Sequence, residues 1–379
     1  MYDAIVVGAR CAGSPTAMLL ARKGYRVLLV DRATFPSNSM RNHVIRHAGV
    51  ARLQRWGLLE RVIATGCPPI RTGTVDLGDF PLTEHLTPSD GVDAEYAPRR
   101  FVLDKILVDA AAEAGAEVRE GVAVSELLIE HGQVVGVRGS STDGAGRRSG
   151  MTERARIVIG ADGQHSLVAR TVGAPVDHER PALTCAYYSY WTDLPCAGLE
   201  VWMLPRPAFL LAFPTHFGRT CVAVQVPVAE FAAFRRDIEG SFMRVVDRAP
   251  ALAERVQRGH RAERFYGTAD LPNRFRKPYG PGWALVGDAG YVKDPITARG
   301  ISDAFRDAEL LTDAIDAGLK RGSPMAEALA AYEQRRNAAA MGEYEEACHE
   351  ASFPPIPPEV YEARARQRAA SNPHEMEGT

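Results

Sequence analysis

The opening residues, YDAIVVGARCAGSPTAMLLARKGYRVLLVDR, constrain this chain more than any other segment. Ala4–Val7 is an unbroken apolar run, the pattern of a strand covered on both faces, as in a parallel sheet. A glycine-bearing turn over Gly8–Gly13 leads into a helix with Ala17, Leu20 and Ala21 toward one side. Gly24 is placed to end that helix, and Val27–Val30 supplies a second parallel strand. Such a turn leaves N–H groups and the positive end of a helix facing outward, which suits phosphate oxygens. Gly8 and Gly13 occupy the first and third positions of the dinucleotide glycine pattern, and Asp31, 18 residues past Gly13, is the carboxylate such units offer to ribose. Arg10 stands where the middle glycine is usual, and either reaches over a pyrophosphate or points to solvent. Ser14 either touches phosphate or caps the helix. Arg32 and Val124 complete the candidates for the nucleotide end.

Two later segments carry related signals. Ile157–Ile159 runs into Gly160–Ala161–Asp162–Gly163, followed by Ser166, Val168 and Arg170. Trp283–Val286 runs into Gly287–Asp288–Ala289, with Pro295 and Gly300 ahead of a long amphipathic helix. Between the first two lies Arg100-x-x-Leu-Asp104. In this order the motifs resemble the flavoprotein monooxygenase superfamily with the para-hydroxybenzoate hydroxylase fold, over roughly residues 1–345. The resemblance implies FAD as cofactor. It implies that Asp162 orders the dinucleotide region and, in many members, assists transient pyridine-nucleotide binding. It puts Arg100, with Arg99 as a competitor, near the flavin phosphates or ribityl chain. Asp288, after Gly287, would bond the ribityl hydroxyls, and Gly300 and Ile301, beyond Pro295, would meet the flavin pyrimidine edge. Asp294–Pro295 followed by Gly300–Ile301 is closer to geranylgeranyl-reductase-like and halogenase-like members than to aromatic hydroxylases. The reductase pattern usually has another glycine where Ala298 or Arg299 stands, and the Trp-x-Trp-x-Ile-Pro signature of tryptophan halogenases is absent, since Trp191–Pro195 reads WTDLP.

The expected fold class is α/β: a Rossmann-like, three-layer FAD-binding domain of the para-hydroxybenzoate hydroxylase type, with an inserted β-sheet substrate domain. Residues 1–68, 97–173 and 273–345 are assigned to the FAD domain, 69–96 and 174–272 to the β-rich substrate domain, and 346–379 to a helical or irregular tail. Within these, Leu53–Ile63 reads as one helix and Asp104–Ala114 as another, and Ala116–Val118 as a strand. Val124–Ile129 and Val134–Val137 form a hairpin turning at His131–Gly132, and Asp143–Gly150 is a polar loop. Cys185–Trp191, Leu199–Met203, Phe209–Phe213 and Thr220–Val226 read as strands, Phe231–Arg248 and Ala251–Arg258 as helical. Pro354–Pro358 should break a helix, and Ala369–Thr379 should fray.

Forty-five basic against forty-seven acidic side chains give no general attraction to nucleic acid or anionic lipid. Six dispersed cysteines, with no CxxC pair, argue against disulfide scaffolds and metal sites, and no apolar run approaches the ~20 residues of a membrane span. A cytoplasmic protein of open oligomeric state is expected.

The resemblance implies that NADPH or NADH transiently reduces FAD. Oxygen then forms a C4a-hydroperoxyflavin that passes one oxygen atom to a hydrophobic or aromatic small molecule. The alternatives are a flavin reductase of isoprenoid C=C bonds and a flavin-binding module without catalysis. The flavin carries the chemistry, so no catalytic side chain is named. His43, His47, His165 and His216 are acid–base candidates whose ordinary role is structural. Tyr187, Tyr188, Tyr190, Trp191, Trp202, Phe209 and Phe213 are candidate pocket aromatics, of which strand alternation turns about half away. Tyr291 and Lys293 are placed to border the reactive face, with Lys293 either attracting an anionic substrate or sitting at the entrance.

Overall fold

The computed structural model describes residues 1–37, 43–142, 148–205, 207–320 and 324–371. The first apolar run is a strand over Tyr2–Val7, and it lies at the centre of the main sheet. Arg148–Gly160 pairs parallel to it on one side and Val27–Val30 on the other. Trp283–Leu285 and Glu117–Arg119 extend the parallel set outward. Both faces of these strands are apolar, which is why the runs read as continuous rather than alternating. Ala4, Val6, Leu29, Ile157 and Ile159 turn to one side, against Met18, Leu103, Leu107, Phe305 and Leu311 of three helices, Gly13–Arg22, Arg100–Glu113 and Gly300–Lys320. Ile5, Val7, Leu28 and Val158 turn to the other side, against Val122, Leu127, Val134 and Val137 of an antiparallel hairpin. Helices, parallel sheet and hairpin form three layers. The hairpin strands are Val122–Glu130 and Gln133–Thr142, and His131 and Gly132 turn between them at φ 51° and 77°, the left-handed pair that a two-residue hairpin turn needs.

A second, mostly antiparallel sheet runs in the order His260–Arg261, Thr184–Thr192, Arg219–Pro227, Ala208–Thr215, Leu199–Leu204, Thr72–Asp76, Pro81–His85. The strand Thr72–Asp76 pairs parallel to Leu199–Leu204, joining chain segments far apart in sequence. Alternation splits the aromatics between two faces. Tyr187, Trp191 and Trp202 pack under three helices, Phe231–Arg236, Ile238–Val246 and Pro250–Arg258. Tyr188, Tyr190, Phe209 and Phe213 belong to a different apolar cluster, with Ile296 and Ala298.

Several expectations need correction. Leu53–Ile63 is not one helix but the end of His47–Arg55 and most of Leu59–Ala64, because Gly57 at φ 75° interrupts the backbone. Phe231–Arg248 likewise breaks at Asp237, whose carboxylate caps the helix from Ile238 by accepting from the Gly240 N–H. The boundary set at 345/346 falls inside one continuous helix, Met325–Ala351. Of the loop expected over Asp143–Gly150, residues 143–147 lie outside the described residues, and Arg148–Gly150 already belong to a strand. Of the segment expected to fray, Ala369–Ser371 complete a helix from Pro358, and 372–379 lie outside the described residues.

That last helix is tied down by charge. Arg364 donates to both carboxylate oxygens of Asp79, at 3.0 and 3.1 Å, and to the carbonyls of Val75 and Phe80. Burial pushes the Asp79 carboxyl upward, but Arg364 and the Phe80 N–H overcome this and hold it below its ordinary value. A depressed pKa contributes stability that is present above the unfolded value, about 4, and lost as pH falls through the folded one. Hydrogen exchange should therefore show the helix 358–371 losing protection below about pH 4. Arg364→Ala should remove that protection at neutral pH while the Tyr2–Val7 strand stays protected; equal loss in both places would show that the contact is not local.

Candidate active site

The three glycine motifs end three adjacent parallel strands. Val7 is level with Gly160, and Gly160 with Leu285, so Gly8, Ala161 and Val286 leave the sheet side by side at its carboxyl edge. In open α/β sheets that edge is where ligands bind. The chain approaches itself closely there. A Cβ on Gly8, whose φ is +105°, would lie 2.4 Å from the Ala161 carbonyl oxygen, and one on Gly13 would overlap the Gly8 carbonyl. A Cβ on Gly287 would lie 2.7 Å from that of Ala12, which binds the third motif to the first.

At the nucleotide end, the helix Gly13–Arg22 has no side-chain cap and no acidic residue in its first turn. Ser14, expected to touch phosphate or to cap, is fully buried, and its hydroxyl has no partner among the described residues. A buried hydroxyl left unpaired beside an uncapped helix N-terminus fits a group rich in acceptor oxygens. Asp31 accepts from the Ala9 N–H at 2.7 Å and the Ala33 N–H at 2.8 Å, which holds the turn against the second strand. Arg32 is exposed and lines an open cavity of about 720 Å³ with Thr34, Pro36, Ser37 and Ala123. Val124 lies just beyond, in the strand whose Val122 N–H bonds the Asp31 carbonyl.

The hub of this end is Asp104, which is completely buried. Its carboxylate accepts from Arg10 at 2.7 Å and from Arg100 at 3.0 Å, and the Cys11 thiol lies 3.6 Å away. Arg10 also bonds the Ser37 hydroxyl at 3.0 Å, so neither of its expected poses describes it fully: it is clamped across the turn. Asp104 was legible only as part of the Arg100-x-x-Leu-Asp motif; the i,i+4 spacing of Arg100 and Asp104 on one helix was the available signal for the ion pair. Arg99 and Arg100 point apart. Arg100 lies in the fields of Asp104 and Asp288, while Arg99 leaves for Glu263 in the second sheet.

Asp162 spends its acceptors locally. It takes the Ser166 hydroxyl at 2.5 Å and the N–H groups of Leu167 and Val168, while the Ser166 hydroxyl caps the Ala169 N–H. Burial pushes its carboxyl up against these bonds. Its place is thus the start of the Leu167–Thr171 helix, an ordering role.

At the opposite end, Gly287–Ala289 forms a single tight turn carrying Asp288, and Pro295–Thr297 forms another. Buried Asp294 holds the second turn through the Ile296 N–H, Thr184 and Gln225, so two residues of the second sheet help set the loop. Gly300 is exposed at the start of the long helix, and a Cβ there would meet nothing within 4 Å. Ile301 follows, almost buried. The first N–H groups of a helix have no partner within it, so this open N-terminus suits an electron-rich ring edge. Ala298, between the turn and the helix, is left-handed at φ 53°. That conformation favours glycine, and it is kept here with alanine, under strain.

Two expectations near this loop fail. Lys293 is not an attractor of substrate: its side chain is 5% exposed and its ammonium is 2.9 Å from both Asp303 and Glu343. Tyr291 does not border a reactive face; it is buried against Phe275 and receives a bond from Arg306. The histidines are mainly structural. His47 bonds Glu95, His165 bonds Asp270 at the surface, and His216 bonds Thr65 and the Arg99 N–H. His43 differs, being buried at the inner face of the second sheet. Burial, reinforced by Arg99, pushes its imidazole down to about 3, so it is neutral. Its Nδ1 lies 3.0 Å from the Ala97 carbonyl, which can only accept, so Nδ1 carries the proton and Nε2 accepts from the Tyr190 hydroxyl at 2.8 Å. Among the described residues no cluster has the composition of a metal site, and the cysteines are free thiols.

Two substitutions test this geometry. Ser14→Ala removes a hydroxyl unpaired among the described residues, so thermal stability without FAD should hold or rise. FAD affinity should fall roughly tenfold, the scale of a hydrogen bond to a charged group; unchanged affinity by titration would show that Ser14 faces no phosphate. Ala298→Gly should stabilise the fold by up to about 1 kcal/mol, the left-handed penalty less glycine's extra freedom when unfolded, and so raise the melting temperature. A lowered melting temperature would contradict the strain.

Comparison with known proteins agrees with this architecture. The model of the family described as FAD binding domain matches residues 1–347. Digeranylgeranylglycerophospholipid reductase of Methanocella arvoryzae is 28% identical over 340 residues, spanning 88% of this chain and 82% of the relative. Digeranylgeranylglycerophospholipid reductase 2 of Methanopyrus kandleri is 30% identical over 317 residues, spanning 79% and 73%. Among solved structures, the myxobacterial chondrochloren halogenase CndH superposes with a TM-score of 0.85 at 23% identity, covering 99% of this chain and 91% of that one. PqsL of Pseudomonas aeruginosa, described as a probable FAD-dependent monooxygenase, superposes with a TM-score of 0.78 at 22% identity, covering 93% and 96%. The chain belongs to the FAD-binding-domain family of flavoprotein oxidoreductases.

Proposed function

We propose that the chain is an FAD-dependent monooxygenase that places one atom of O2 in a hydrophobic or aromatic small molecule, with NADPH or NADH as the electron donor. The observation that carries this reading is the inner face of the second sheet. Tyr188, Tyr190, Phe209 and Phe213 converge there with Ile296, on the loop that leads to Gly300. A ring-lined, largely apolar face beside the flavin loop suits a planar apolar substrate and keeps water away.

FAD bound across the carboxyl edge supplies the redox chemistry, with NAD(P)H and O2 consumed and water released beside the oxygenated product. The chain supplies placement and charge. Gly8, Gly13, Ser14 and the helix behind them hold the pyrophosphate; Asp31, Arg32 and Val124 address the nucleoside. Arg10 and Arg100, fixed by Asp104, add positive charge, Gly287 and Asp288 meet the ribityl chain, and Asp162 keeps the neighbouring turn in order. Pro295, Gly300 and Ile301 aim the positive end of the long helix at the ring edge, where reduction concentrates negative charge. The neutral His43–Tyr190 pair keeps one polar contact in the apolar face without an unpaired charge. The second sheet with its helices acts as the substrate-binding part.

A second reading, a reductase of isoprenoid C=C bonds, is favoured by the reductases that share 28–30% of their residues with this chain over most of its length. The two reactions differ in mass balance. The full-length protein with FAD and NAD(P)H, supplied with aromatic acids, phenols and geranylgeranyl compounds under 18O2, should yield a product heavier by one labelled oxygen and none without oxygen. A product heavier by two hydrogens, formed equally well anaerobically, would replace the monooxygenase with the reductase.

A further inference from the structure

A second cavity, of about 470 Å³, opens where the second sheet meets the start of the Arg100–Glu113 helix, apart from the nucleotide end. Its floor is an ion pair. Arg99 donates to both oxygens of Glu263, at 2.8 and 3.1 Å, and Glu263 also accepts from Arg219 at 2.5 Å and from the Tyr266 hydroxyl at 3.1 Å. Three guanidinium groups, those of Arg99, Arg219 and Arg264, thus line one cavity with a single carboxylate whose acceptors are already taken. Arg219 uses a single nitrogen on Glu263. Arg264 is exposed, lies over the Tyr266 ring at 5.3 Å, and makes no ion pair with the described residues. The cavity has an unspent positive charge at its rim.

One wall is apolar. Phe217, at the tip of the hairpin between Ala208–Thr215 and Arg219–Pro227, is 64% exposed and left-handed at φ 64°. Its ring lies parallel to that of Phe101, 6.3 Å between centroids. Beyond this stack the phenyl ring stays in the open on a left-handed backbone, an apolar surface suited to a partner that covers it. The floor also leads inward: the Arg99 guanidinium that lines the cavity stacks 3.8 Å from the centre of the Tyr190 ring, whose other partners are His43 and the apolar inner face.

We propose that this cavity is the outer half of the substrate site and that it binds the anionic group, a carboxylate or a phosphate, of a substrate whose apolar body extends past Tyr190. This rests on the reading that substrate occupies the inner face of the second sheet. A guanidinium at the rim suits either anion by forked hydrogen bonds, and the phenyl wall suits the first apolar atoms behind it. Arg99 is a positioning residue, held by Glu263 between the charged and apolar halves.

The test is equilibrium binding to the FAD-loaded full-length protein, using two pairs of probes that differ only in charge: 2-naphthoate with 2-naphthamide, and geranylgeranyl phosphate with geranylgeraniol. Arg264→Gln should weaken the acid of at least one pair roughly tenfold, the scale of a lost charge-assisted hydrogen bond, and leave its neutral partner within about twofold. Arg264→Lys should keep most of the binding. Phe217→Ala should weaken acid and neutral probe alike. Dependence confined to the naphthoate identifies an aromatic acid, and dependence confined to the phosphate an isoprenoid one; both support the charged cavity. Failure of the acids to bind, or equal losses for acid and neutral probe in Arg264→Gln, would overturn it. Acid binding through Arg264 without any labelled product would leave the cavity standing and remove the monooxygenase reading, whereas labelled turnover independent of Arg264 would do the reverse.

Discussion

Everything in the candidate site depends on one contact between backbones, Gly8 against Ala161. Only a residue without a side chain can follow the first strand at that separation, since a Cβ would lie 2.4 Å from a carbonyl oxygen. The contact brings the ends of two parallel strands into one edge, and the pairing of Gly160 with Leu285 adds the third. Asp31 then ties the first turn to the second strand, and Asp104 ties Arg10 to Arg100 across the opening. The functional groups are supplied by chain segments nearly three hundred residues apart, yet their relative positions are set by sheet register, which shifts only in whole residues.

Much of this was written locally, and local signals are what a sequence displays best. The first βαβ unit, the hairpin at His131–Gly132 and the four central strands of the second sheet came from apolar runs and turn residues, and the structure has all of them. Boundaries were less legible where one residue decides them: Gly57 and Asp237 each split a stretch whose apolar spacing continues through the break. Side-chain destinations were least legible. Lys293 follows Asp288 closely and resembles a binding cation, but its partners, Asp303 and Glu343, lie on two later helices. Burial pushes the Asp303 carboxyl up against the pull of Lys293, while Glu343 is held low by its bonds to Asp303 and Lys293 despite burial. Nothing near residue 293 announces that arrangement. Arg99 and Arg100 posed the same difficulty: adjacent arginines were distinguishable only once the helix start turned one toward Asp104 and the other toward Glu263.

The two sheets are joined by polar contacts as well as by apolar ones. Asp294, which shapes the loop before the long helix, takes bonds from Thr184 and Gln225 of the second sheet, and His216, on the Ala208–Arg219 hairpin, accepts from the Arg99 N–H. Both joints are buried, so neither yields to water without leaving a polar group unpaired. Buried polar contacts therefore fix the second sheet to the loop and to the start of the Arg100 helix together, beside its apolar inner face.

The clasp between Arg364 and Asp79 has a consequence for how the chain is made. The hairpin it grips leaves the ribosome early, yet its neighbour in the sheet, Leu199–Leu204, emerges more than a hundred residues later, and the gripping helix later still. Until Leu199–Leu204 pairs with it, the strand 72–76 has an open edge, which is prone to pairing with other chains. The second sheet is thus closed on this side only after residues 199–204 have been made, and the helix 358–371 then grips the finished hairpin through Arg364.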